Sequence, residues 1–197
     1  MTSAQKDQLT EAITDTFMWN FKKGDNIVYN LEIARELYRA RATSADKSKY
    51  NKPLLITLVS IIECILDDFS HRIVGHVRDT VPNISQADIN TFRTKKYDQL
   101  EHYIAAAKRF NLFDQPDSFY DLLDELRKAR NRVHIQNSRN QLHPDEHKVF
   151  TQPLLAKAED ALETVLNTMI TKFPRGTTAI DSPNVALPWK INRPSTV

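Results

Sequence analysis

The segment Leu126-Arg127-Lys128-Ala129-Arg130-Asn131-Arg132-Val133-His134-Ile135 gathers the residue types that handle phosphates and protons. On a helix turning 100° per residue, Arg127, Arg130, Asn131 and His134 recur at spacings of three and four and share one face. From Leu126 to Pro144 there is no Asp or Glu, against five Lys/Arg and two His, so the local potential is positive and attracts anions. A guanidinium holds phosphate oxygens through a fork of donors, and an imidazole of ordinary pKa, ~6.5, exchanges protons at neutral pH. Transfer at a phosphate needs a proton acceptor near pH 7, a cation for charge building on the phosphorus oxygens, and a proton donor for the leaving oxygen. His134 suits the first or last task and Arg130 the second, with Arg127 and Arg132 as further phosphate contacts. Asn131 can orient the phosphate or the imidazole. The same residues also have a structural use, because cations in the last turns of a helix complement its dipole and a histidine there can serve as a cap.

The elements that must position this segment are helical. The chain has 197 residues, 41% hydrophobic and 26% charged, with 27 Lys+Arg against 25 Asp+Glu and a net charge of +2, which fits one folded domain and excludes disorder throughout. Its 3 glycines, Gly24, Gly75 and Gly176, stand too far apart for a P-loop or a dinucleotide-binding turn. A lone cysteine, Cys64, excludes internal disulfides and Cys-based zinc fingers, and is expected to be a small buried apolar group. Apolar residues recur at helical spacing almost everywhere before residue 174, and hairpin signals are missing. The expectation is an all-α bundle of five to six helices over residues 1–174, followed by an extended, proline-containing tail, 175–197, with Trp189 and Ile191 as its docking handles. A first helix is expected from Ser3 to Lys22 and ended by Gly24, and a second, capped by Asp25, to Ala42. The third, from Pro53 to Val77, is apolar around most of its circumference and should be the central element. A fourth is expected from Ser85, which with Asp88 resembles a capping box, to Phe110; a fifth, from Ser118 to Ile135, carries the basic segment; a last one ends near Phe173.

The run Arg130-Asn131-Arg132-Val133-His134 late in a helix, with the apolar, Glu-bearing run Ile61-Ile62-Glu63-Cys64-Ile65-Leu66 upstream, resembles the HEPN superfamily (higher eukaryotes and prokaryotes nucleotide-binding domains). The family motif is an Arg, often followed by a polar residue such as Asn, then four to six residues in all, then His. Counted from Arg130, Asn131 fits and three residues intervene before His134; counted from Arg127, six intervene and Lys128 follows. Both arginines remain candidates for the family role. The resemblance spans about residues 25–173 and implies a small helical bundle, usually dimeric, acting as a metal-independent endoribonuclease in defence, toxin–antitoxin or RNA-processing systems. It implies no cofactor, RNA as substrate, a homodimer whose two motifs supply the acid and the base, and an antitoxin as a possible partner. It also implies that Glu63 pairs with Arg130 or Arg127, and burial of Glu63 on an apolar helix independently requires some partner. The alternative is a HEPN-like module without activity that binds RNA, nucleotide or a protein.

Other patterns carry less. His143-Pro144-Asp145-Glu146-His147 matches an inverted zinc-protease motif, but Pro144 pushes His143 out of the helical region, so a metal site is not expected. His71 and His76 do not share a face, and Lys95-Lys96 and Lys108-Arg109 read as a solvated face. Tyr50 and Trp189 are the aromatics placed to stack on bases. Residues Leu54 to Leu66 are too few and too polar to span a bilayer and the N-terminus has no signal-peptide pattern, so a cytoplasmic protein without membrane contact is expected.

Overall fold

The computed structural model describes residues 21–75, 84–94, 97–133, 145–173 and 187–189. It is an all-α bundle, with no strand among the described residues. The helix expected at Ser3 lies outside them up to residue 20. Helix α1, Phe21–Thr43, runs unbroken through Gly24 and Asp25, which corrects the expected boundary there. A glycine inside a helix costs only about 1 kcal/mol relative to alanine, and burial of Ile27, Leu31, Ala34 and Tyr38 along the same helix outweighs it. Asp46 then caps a 3-10 turn, Lys47–Tyr50, by accepting the Ser48 amide at 3.1 Å, and this turn leads directly into α2, Asn51–Gly75. Pro53 sits in the first turn of α2, where a backbone donor has no intrahelical partner to lose.

Helix α2 is the central element, as its apolar circumference requires. Leu54, Leu55, Leu58, Ile62, Ile65 and Phe69 are buried, and α2 packs against all of α1 and the four helices α3 (Gln86–Arg93), α4 (Leu100–Arg109), α5 (Asp117–Arg130) and α7 (Gln152–Lys172). Ser85 caps α3 as expected, its Oγ accepting the Asp88 amide at 3.1 Å and donating to the Asp88 carboxylate at 2.6 Å. The single fourth helix expected from Ser85 to Phe110 is instead two. After Arg93 the Thr94 amide and hydroxyl turn back to the Thr91 carbonyl, and Tyr97 stacks on Phe92 at 4.2 Å, so ring packing draws the chain out of the helix. Helix α5 also ends earlier than expected: a 3-10 turn, Asn131–Val133, follows Arg130. The one-turn α6, Glu146–Val149, precedes α7, which is capped by the Thr151 hydroxyl accepting the Leu154 amide at 3.4 Å. Leu187 and Trp189 are buried in the same core, so the tail docks where Trp189 was expected to hold it; Ile191 lies outside the described residues.

Candidate functional site

Three helices meet at the basic segment. Glu63 lies on α2 and Arg127 and Arg130 on the last turns of α5, while α4 brings Glu101 and Tyr103. Arg130 Nη2 donates to Glu63 Oε2 in a hydrogen-bonded ion pair, and Nη1 donates to Asn131 Oδ1 at 3.3 Å. The Arg130 and Glu63 side chains are 30% and 26% exposed, so the pair is sheltered yet reachable by a solute. Arg127 turns elsewhere: its Nε donates to Asp124 Oδ1 at 2.8 Å and its Nη1 lies 3.1 Å from Glu101 Oε2, tying α5 to α4. Of the two candidate arginines, Arg130 is thus the one that meets Glu63. Burial pushes the Asp124 carboxyl up, but hydrogen bonds from Lys128 and Arg127 outweigh it and hold the group below the ordinary carboxylate range.

The shared α-helical face holds only as far as Arg130. Asn131 to Val133 follow the 3-10 path, at ~120° per residue, so the expected stripe from Arg127 to His134 is not one continuous α-helical face. Asn131 reaches back to the Arg130 guanidinium rather than outward. Arg132, expected to contact substrate, is buried, and Val133 beside it is exposed. His134 lies outside the described residues. The positive potential expected from the acid-free run is offset by carboxylates that α2 and α4 bring to it, Glu63 and Glu101, together with Asp124 from the preceding turn.

Sequence reasoning missed what continues this seam along α2. Asp67 stands one turn beyond Glu63 and accepts the Tyr103 hydroxyl at 2.6 Å; burial, then Asp67 itself, raise the Tyr103 phenol above its ordinary pKa. His71, a further turn on, places Nδ1 2.8 Å from the Asp67 carbonyl and 3.2 Å from its carboxylate. The i, i+4, i+8 spacing of Glu63, Asp67 and His71 is the signal that places the three on one strip of the helix.

Glu146, first residue of α6, takes the Lys52 ammonium at 2.7 and 2.8 Å, and His143 lies outside the described residues. Among the described residues no group of three or more His, Cys, Asp and Glu is arranged to hold a metal ion. Lys108 is paired with Asp121 and Asp117, whereas Lys95, Lys96 and His76 lie outside the description. Tyr50 is half-buried against the core and Trp189 is buried in it. Cys64 is half-buried rather than fully buried. No helix among the described residues is long and apolar enough to cross a membrane. No family model, curated protein or solved structure matches the chain.

Proposed function

We propose that this chain is a metal-independent endoribonuclease of HEPN type, cleaving RNA by 2′-OH attack at a composite site formed by two copies. The observation that carries the reading is the Glu63–Arg130 pair with Asn131 on the same guanidinium, which fixes one Arg at the helix end four residues before His134. In this mechanism Arg130 neutralises charge developing on the phosphorus oxygens, with Glu63 and Asn131 as its positioning groups. His134 takes the 2′-OH proton or protonates the leaving 5′ oxygen, and the His134 of a second copy does the other, because one motif holds one imidazole. The 2′ oxygen bonds to phosphorus as the 5′ oxygen leaves, giving a 2′,3′-cyclic phosphate and a 5′-OH. A defence or toxin–antitoxin setting, with an antitoxin partner, belongs to the same proposal. Arg127 and Arg132 are structural on this reading, the first as an α4–α5 tie and the second as a buried cation.

A second reading has its own support. Both motif arginines of the described segment are matched by carboxylates, which weakens their pull on a phosphate and suits an inactive HEPN-like module that binds RNA, nucleotide or a protein. Separate substitutions distinguish the two. With an RNA pool and folded, dimeric protein, the nuclease reading expects Arg130→Ala and His134→Ala each to abolish cleavage. Retained cleavage in either variant contradicts these assignments, and an inert wild type that still retains RNA on a filter supports the binding module.

A further inference from the structure

The tail makes a contact that the nuclease reading does not use. Leu187 and Trp189 are each 2% exposed. The Trp189 ring packs 6.2 Å from that of Tyr38 on α1, and the Tyr38 hydroxyl donates to Glu159 Oε1 on α7 at 2.6 Å. Tyr38 and Glu159 therefore form a bridge between two helices, with the indole against the Tyr38 ring. The indole Nε1, though buried, has no hydrogen-bond partner among the described residues. Burying a donor unpaired forfeits its bond to water, so the contact rests on ring and leucine packing and works against its own polar atom.

We propose that the Tyr38–Glu159 bridge between α1 and α7 is a peptide-docking site for a Leu-Pro-Trp turn, and that the chain's own residues 187–189 occupy it as a releasable clasp. Thirteen residues separate Phe173 from Leu187. A chain of that length spans at most about 40 Å, against a rise of about 20 Å along the helix from Glu159 to Phe173, and a linker of such length holds a released segment at a local concentration on the order of millimolar. Pro188 limits the freedom that the segment gives up on docking.

The test uses full-length protein and a fluorescent peptide of residues 183–193. The Trp189→Ala protein, its own clasp disabled, should bind the peptide saturably, and wild type at least tenfold more weakly because its tail competes. Unlabelled peptide carrying Trp→Ala should not displace the probe, and peptide carrying Trp→Phe, which keeps the ring and drops the unpaired donor, should displace it better than the native sequence. No saturable binding to folded Trp189→Ala protein, or equal binding to wild type, overturns the proposal. A second measurement needs no variant: the Trp189 indole N–H of wild type should exchange with solvent at least a hundredfold faster than the α2 core amides. Exchange at the rate of those amides would make the segment an integral part of the core and overturn the clasp.

Discussion

The Glu63–Arg130 pair can be weighed on its own, apart from any activity. A charge-assisted hydrogen bond contributes about 1.5–3 kcal/mol, and exposed ion pairs about 0.2–1 kcal/mol. With side chains 26% and 30% exposed, the pair stands between these limits, and a coupling of about 1–2 kcal/mol is expected. The perturbations are Glu63→Gln, Arg130→Met, which keeps the apolar stem, and the two together, each unfolded in urea at low salt. The double variant should lose less than the sum of the singles by that coupling. Each single variant should melt about 2–8 °C below wild type, at ~2–4 °C per kcal/mol for a chain of this size. Partial burial also limits screening, so most of the coupling should survive in 0.5 M salt. Additivity within about 0.3 kcal/mol would refute the pairing and remove the anchor that sets Arg130 before His134.

Three further outcomes follow from the packing. Tyr103→Phe should cost about 1 kcal/mol, because the half-buried Asp67 carboxylate loses its hydroxyl donor, and unfolding by urea reads this directly. The native Tyr103 phenol holds its proton to higher pH than the unfolded chain does, so its contribution is intact below the ordinary tyrosine pKa of ~10 and falls as pH rises above it. The phenolate absorbance lost in the Tyr103→Phe difference titration should accordingly appear only as the protein unfolds. For Asp124 the sign is opposite: its lowered pKa adds stability above the unfolded value of ~3.9 that is lost as pH falls through the folded one. The gap between wild type and Asp124→Asn should therefore be widest near pH 7 and close in acid; a gap that grows in acid would reverse the assignment. Ser85→Ala should cost about 0.5–2 kcal/mol by uncapping α3, and Ser85→Asp should recover most of it.

Helix type, the central place of α2 and the Ser85 cap were legible because burial periodicity and capping chemistry are local properties of the chain. The Glu63 partner was legible as a need, since an acid on an apolar helix requires a cation, and the resemblance narrowed it to Arg130 or Arg127. The choice between them was not, because it depends on Glu101 arriving from α4 to take Arg127. Three boundaries were also out of reach. Gly24 reads as a stop, yet tertiary burial carries α1 through it; Tyr97 stacking on Phe92 breaks a helix whose apolar pattern runs on; and the shift to a 3-10 turn after Arg130 leaves no mark on residue spacing. The charge of the site shows the same limit: a stretch without acids in sequence is faced by acids in space.

RNA cleavage by 2′-OH attack is written in the chemistry of the product ends. Wild-type protein and His134→Ala are incubated with a labelled RNA pool in EDTA, and the products are tested for 2′,3′-cyclic phosphate and 5′-OH termini. Cyclic phosphates from wild type alone are the predicted result. Intact RNA with a folded, dimeric wild type, or products bearing 5′-phosphates, would contradict it.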